Sequence, residues 1–200
     1  MARPSKEELL AFEEDIAECF NNKMIKAPVH LSSGNEDQLI QIFDRFVSHE
    51  DWVMTSWRSH YQCLLHGVPK EELKQSILDG KSITLSFPKH RVLSSAIVAG
   101  ILPIATGIAL GIKRSGGTNK VIVFVGDMTY ETGTFHECHK YAINHKLPII
   151  FVVEDNSLSV CTDTKKTWGD NPIFSALPNV IYYQYKSKWP HAGAGARIQF

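Results

Sequence analysis

Two short polar clusters stand at the ends of apolar runs, and both carry groups that could hold a hard cation. Val121-Ile122-Val123-Phe124-Val125 leads into Gly126-Asp127, and the apolar run Pro148–Val153 leads into Glu154-Asp155-Asn156. A carboxylate at Asp127 and an amide oxygen at Asn156 suit magnesium better than zinc. Magnesium takes few protein ligands and completes its octahedron with waters and substrate phosphates. The segment from Thr129 to Thr134 then opens a helix, whose unpaired amides and positive dipole end favour an anion. A magnesium-bridged phosphate is the economical occupant. Taken singly, Gly126-Asp127 also reads as a turn and Asp155-Asn156 as a helix cap.

For the two clusters to meet, the runs before them must be neighbouring strands. Neither run alternates apolar with polar residues, the pattern of a parallel strand covered by helices on both faces. Between them Thr134–His145 reads as a helix, so the unit is βαβ with an expected right-handed crossover. In such a sheet, ligands sit outside the carboxyl ends of the strands, where both clusters lie. Upstream, Lys6–Asn22 has helical spacing with a Ser5/Glu8 start signal, and Glu36–Val47 repeats the helical pattern. Asp51–Thr55 is a short extended piece. Tyr61–Leu65 and Lys70–Leu78 read as helices divided by Gly67-Val68-Pro69 and closed by Gly80. Val180–Tyr185 is a last strand. The expectation is one domain over residues 1–200: a doubly wound α/β fold with a mostly parallel sheet and helices on both faces.

The totals agree with a globular chain: 200 residues, 44% hydrophobic and 21% charged. Lys plus Arg equals Asp plus Glu at 21 each, so there is no field to hold a nucleic-acid backbone. Cys19, Cys63, Cys138 and Cys161 follow no paired spacing, and the first residues are charged rather than apolar. A reducing, cytoplasmic setting without a secretory signal is expected. Val92–Ile112 carries no charge, but Pro103 and several glycines and serines point to a loop and a small-residue helix rather than a membrane span. His136, Glu137, Cys138 and His139 are successive on a helix and cannot all face one ion. Gly107-x-x-x-Gly111 reads as a close helix contact. Cys161 has no visible activator, and there is no Walker loop or dinucleotide glycine motif.

Together the two clusters resemble the thiamine-diphosphate signature, in which Gly-Asp-Gly at one strand end is followed about thirty residues later by Asn-Asn. Gly133, Phe135, Glu137, Ala142, Leu147-Pro148, Ile150-Phe151 and Glu154 match, without a gap, the alpha subunits of thiamine-diphosphate-dependent two-oxo-acid dehydrogenases of the pyruvate, branched-chain and acetoin type. His30-Leu31 with Gly34-Asn35-Glu36, and Trp57-Arg58-Ser59-His60, resemble the family's His-Leu, Gly-Gln-Glu and Tyr-Arg-x-His. Ala96-Ile97-Val98 and Pro103–Ala109 resemble the loop and helix that hold the aminopyrimidine ring.

The resemblance implies thiamine diphosphate and magnesium as cofactors. His30, Trp57 and Arg58 would contact the diphosphate, Arg58 with a planar fork of donors. Amides of Met128 and Thr129 would hold phosphate oxygens, and Asp127, Asn156 and the Leu158 carbonyl would ligate magnesium. Ala96 and Val98 would meet the ring, and Glu137 would face a subunit interface. His60 and His191 are the candidates for a catalytic role. The implied protein is one half of a heteromeric enzyme, a heterotetramer with a beta-type subunit carrying the pyrimidine-binding domain, acting on a small two-oxo acid. A transketolase-like subunit and a non-catalytic relic remain alternatives. Two departures bear on the site. Met128 replaces the second glycine of the motif, which is expected to restrict the backbone near the phosphate. Asp155 replaces the first Asn, either fixing the neighbouring loop or adding negative charge near the metal.

Overall fold

A computed structural model describes residues 3–169 and 177–195. Helix α1, Lys6–Asn21, begins with the expected reciprocal cap: the Ser5 hydroxyl accepts from the Glu8 amide, and the Glu8 carboxylate accepts from the Ser5 amide at 2.7 Å. Then come α2 (Glu36–Phe46), strand β1 (Trp52–Thr55), α3 (His60–Leu65), α4 (Lys70–Leu78), β2 (Ser86–Phe87), a 3₁₀ turn (Pro88–His90), β3 (Val92–Ser94) and α5 (Ile101–Arg114). The chain continues through β4 (Val121–Gly126), α6 (Asp127–Tyr130), α7 (Gly133–Asn144) and β5 (Ile149–Asp155). A small hairpin of β6 (Leu158–Ser159) and β7 (Thr162–Asp163) leads to α8 (Thr164–Trp168), and β8 (Val180–Gln184) is the last strand.

Six strands form one sheet in the order β2-β3-β1-β4-β5-β8, with β2 antiparallel at its edge and the rest parallel. From β1 the chain winds to one side through β3, then crosses back so that β4, β5 and β8 extend the other side. The reversal of winding therefore falls between β1 and β4, and the sheet is doubly wound. Alternate side chains of the central strands supply two cores. Val53, Ile122, Phe124 and Val152 pack under α1–α4, where Phe43 stacks on Phe124 at 5.7 Å. Met54, Val121, Val123, Val125, Phe151 and Val153 pack under α5–α7. Burial of both faces is why these strands read as continuous apolar runs.

The uncharged stretch Val92–Ile112 divides into β3, a loop and the start of α5. Among the described residues, no helix is long and apolar enough to cross a membrane. Among the described residues, a close helix contact at Gly107 and Gly111 does not form, because a Cβ at either would meet nothing within 4 Å. The four cysteines are free, with Cys161 alone exposed.

Candidate functional site

The carboxyl ends of β1, β4, β5 and β8 share one rim, and a cavity opens there at the β1/β4 reversal, where such sheets take their ligands. Among its lining residues are Trp57 and Arg58 after β1, Gly126–Thr129 after β4, and Glu154, Asn156 and Leu158 after β5, with Tyr185 and His191 from the C-terminal segment. About 600 Å³ of space, part of it open to solvent, lies among them.

Asp127 is 3% exposed, and its Oδ2 accepts a hydrogen bond from the Thr164 hydroxyl at 2.5 Å. Burial, with the nearby charge of Asp155 added, pushes its carboxyl up to about 6 against the pull of Thr164. A carboxylate so short of compensation is suited to a cation. Asp155 is occupied locally: it accepts from the Ser157 amide at 2.7 Å, the Gln184 amide at 2.9 Å and the Tyr182 hydroxyl. Burial works against its charge, but these donors hold it below the usual carboxylate range. Of the two roles left open for Asp155, these contacts show it fixing the loop, and its charge also reaches Asp127. Asn156 turns its Oδ1 onto the Leu158 amide at 3.2 Å, which sets the turn into the hairpin.

Met128 does not strain the backbone. It lies within α6 and is not among the residues with positive φ, so this position does not need the freedom of glycine. Its sulfur instead accepts from the Trp168 indole at 3.0 Å. The expected restriction is absent because the chain enters a helical turn directly after Gly126, where a Cβ would meet nothing within 4 Å.

Arg58 donates from Nε to the Leu31 carbonyl at 3.0 Å and from a terminal nitrogen to the His191 carbonyl at 3.1 Å, which fixes its plane. Glu154 accepts from Asn35 at 3.2 Å, Gln62 at 3.1 Å and the Tyr183 hydroxyl at 2.5 Å. Burial raises its carboxyl to about 7 against these donors and the Arg58 charge. Asn35 Oδ1 is buried without a partner among the described residues, the kind of orphan that a ligand satisfies. The set fits a magnesium diphosphate: hard oxygens at Asp127 and Asn156, cationic donors at Arg58, and an open cradle at Gly126. Among the described residues, no group of three or more His, Cys, Asp or Glu is placed to hold a metal ion, so any cation here would use this mixed oxygen set.

Residues 6–174 match the family described as "Dehydrogenase E1 component". The chain belongs to this dehydrogenase E1 family. The alpha subunit of the pyruvate dehydrogenase E1 component of Porphyra purpurea is 29% identical over 166 residues, 74% of this chain and 48% of its own. The chloroplastic alpha-3 subunit of the same component in Arabidopsis thaliana is 27% identical over 192 residues, 85% of this chain and 44% of its own. The alpha subunit of acetoin:2,6-dichlorophenolindophenol oxidoreductase of Bacillus subtilis (strain 168) is 28% identical over 167 residues, covering 78% and 49%. The chain thus spans about half the length of the curated relatives it matches.

Of the site residues expected of an E1 chain, Trp57, Arg58, Val98, Asp127, Met128, Thr129, Asn156, Leu158 and His191 line the cavity. Three do not. Ala96 is exposed beside the cavity, on the loop before α5. His30 stands behind His191, with their Nε2 atoms 3.2 Å apart. His60 is fully buried among α1, α3 and the loop after α4: Nδ1 meets Glu13 at 3.0 Å and Nε2 meets Ser82 at 2.9 Å. It has no face on the cavity. Its motif runs into α3, whose first turn carries it away from Arg58 and beneath the rim. Glu137 is exposed, in a shallow groove with Pro103, Gly107, Leu110 and Tyr141.

Asn35, Thr164 and Tyr185 were not foreseen as site residues. Tyr185 had a signal, since it directly follows the last strand, β8; Thr164 had none beyond the Asp163 cap that starts α8.

The C-terminal segment is held closely. Gly193 donates to the Val29 carbonyl at 2.9 Å, Lys188 donates its amide to the Ser33 hydroxyl at 2.8 Å, and Gly34, at φ +82°, lies under Lys186. A Cβ on Gly34 would stand 2.1 Å from the Lys186 carbonyl oxygen. Gly34→Ala is therefore expected to cost at least about 2 kcal/mol and to release Tyr185 and His191 from the cavity. An unchanged denaturant midpoint would show that the segment yields without loss.

Proposed function

We propose that this chain is the diphosphate- and magnesium-binding subunit of a heteromeric thiamine-diphosphate-dependent enzyme that decarboxylates a two-oxo acid. One observation carries the reading. The cavity at the winding reversal sets a fixed guanidinium, Arg58, in one lining with the under-compensated carboxylate of Asp127 and the amide of Asn156. Family membership supports it independently.

In this reading Asp127, Asn156 and the Leu158 carbonyl hold magnesium, and the amides of Met128 and Thr129 with the free donors of Arg58 hold phosphate oxygens. Trp57 walls the diphosphate side, while Ala96 and Val98 border the aminopyrimidine. Arg58 adds orientation as well as charge, because its bonds to Leu31 and His191 limit its rotation before a ligand arrives. Thiamine diphosphate, when bound, supplies the electron sink for the bond broken in the two-oxo acid. His60 takes no part in the chemistry in this reading; its ring ties α3 to α1 and so holds Arg58 in place.

A beta-type subunit carrying the pyrimidine-binding domain completes the enzyme, as a heterotetramer in the cytoplasm. Supporting this, Ile97 and Val98 on the loop before α5, Ile104 on α5 and Tyr141 on α7 are exposed large hydrophobic side chains. Gly107 shares a shallow groove with Glu137, and a Cβ at Gly107 or Gly111 would meet nothing within 4 Å; small residues of this kind admit a partner backbone closely.

The test is a native mass spectrum of the complex recovered with the tagged chain from its own cells. A mass requiring a second chain, thiamine diphosphate and magnesium is the expected result. A bare homo-oligomer that takes up neither cofactor when both are added in excess overturns the reading.

A further inference from the structure

The imidazole that reaches the cavity belongs to the C-terminal segment, with a second one behind it. His191 lines the cavity, whereas His30 does not, and the two rings meet edge to face at 4.7 Å with Nε2 opposite Nε2 at 3.2 Å. Trp57 touches both rings, at 6.1 and 6.4 Å between centroids. The pair is built into the backbone as well, since His30 forms a parallel β-bridge with Gly193 and Arg58 grips the His191 carbonyl.

One proton lies between the two Nε2 atoms, and the rest of the pair decides whose it is. His30 Nδ1 is buried without a partner among the described residues. If His30 accepted at Nε2, its own proton would sit on Nδ1 as a buried donor with nothing to receive it, which is costly and rare. If His30 donates from Nε2, Nδ1 is a bare lone pair, the lesser cost, and His191 must carry its proton on Nδ1. The second arrangement also suits the cavity that His191 lines, because it leaves His191 with a free N–H rather than a lone pair to offer an anion. Both rings are held in the neutral form by burial and then by the Arg58 charge, His30 down to about 3.

We infer that His191, as the neutral Nδ1–H tautomer set by His30, is the direct imidazole donor to a phosphate oxygen of the bound diphosphate, and that His30 is its positioning residue. The inference rests on the diphosphate reading above and adds to it the residue and the tautomer. Donation by a neutral ring lets the site hold a polyanion without burying another positive charge beside Arg58.

Nitrogen-15 long-range correlation spectra of the labelled full chain, recorded without ligand and then with excess thiamine diphosphate and magnesium, read the tautomers directly. The expected result is Nδ1–H at His191 and Nε2–H at His30, with the His191 signal moving on ligand addition. His191→Gln should weaken thiamine diphosphate binding about tenfold with its melting temperature kept. His30→Leu should leave His191 in place, return it to the Nε2–H form that free imidazole prefers, and weaken binding by a similar factor. Wild-type chain that binds no thiamine diphosphate even in complex with the partner chain recovered with it overturns both the functional reading and this inference. Binding that is undiminished in His191→Gln, or an Nε2–H proton on His191 in the wild type, overturns the inference alone.

Discussion

An Asp127→Asn chain is expected to melt higher than the wild type near pH 7 and, on the proposed function, to lose nearly all thiamine-diphosphate-dependent turnover. The two effects have one cause. Burial lifts the Asp127 carboxyl from its ordinary 3.8 to about 6, so between those values the folded chain binds more protons than the unfolded chain. Stability contributed by this group is therefore full below its unfolded value and lost as pH rises through its folded one, and near neutral pH the whole penalty is present. Asparagine removes the charge but keeps an oxygen to accept from Thr164. At about 1.4 kcal/mol per pKa unit, discounted for relaxation, the gain is roughly 1–2 kcal/mol, or about 3–6 °C for a chain of this size. The gain should shrink to nothing in acid. Turnover with the partner chain should fall about a hundredfold or more, since on the proposed function the substitution removes a ligand of the metal. Magnesium with thiamine diphosphate should raise the melting temperature of the wild type and not of the variant. A variant with full turnover would remove Asp127 from the metal, and one that melts lower would make the carboxylate a structural group.

The parts of this site that were legible in the sequence are those set by strand ends. β4 and β5 were visible because burial on both faces leaves no polar residue inside them, and their carboxyl ends then had to share a rim. Asp127, Asn156, Trp57, Arg58 and Leu158 followed from that placement and from the family's motif. Spacing could not show the direction in which a chain turns after leaving the rim. His60 is two residues past Arg58, yet the first turn of α3 sends one side chain to the cavity and the other into the core. β3 was hidden because three residues inside an uncharged run carry no period, and β2 is shorter still. The β6–β7 hairpin was invisible for another reason: its left-handed positions are Ser157 and Val160, with no glycine or asparagine to mark them. The proximity of His191 to His30 is a contact between the two ends of the fold, made through a single backbone bridge, and no local pattern announces it.

The largest loss of stability from a single change is expected at Glu13, although it lies outside the cavity. Its carboxylate accepts from the Ser32 amide at 2.9 Å and meets His60 Nδ1 at 3.0 and 3.1 Å, and the far side of the His60 ring reaches Ser82. Glu13, His60 and Ser82 are at most 1% exposed, and Phe12 closes the site edge-on at 6.2 Å. Resemblance to a Ser-His-Glu relay stops at this burial, for no substrate can reach the hydroxyl. The network instead ties α1 to the loop that leads to Asn35 and to the helix that follows Arg58, the two segments that wall the cavity on this side. Glu13→Leu leaves an amide and a ring nitrogen buried without partners, which costs about 3–5 kcal/mol, or about 6–20 °C in melting temperature. Replacing both partners, as Glu13→Leu with His60→Phe, exchanges the unpaired ring nitrogen for an unpaired Ser82 hydroxyl beside the same Ser32 amide, so it should recover little of that loss. Thermal melts of the single and double variants, with turnover measured on whichever stays folded, separate the two roles of His60. A double variant that folds and turns over substrate makes His60 a positioning residue. A folded double variant without turnover returns it to the chemistry, and a Glu13→Leu chain as stable as the wild type would deny that the network holds the cavity wall at all.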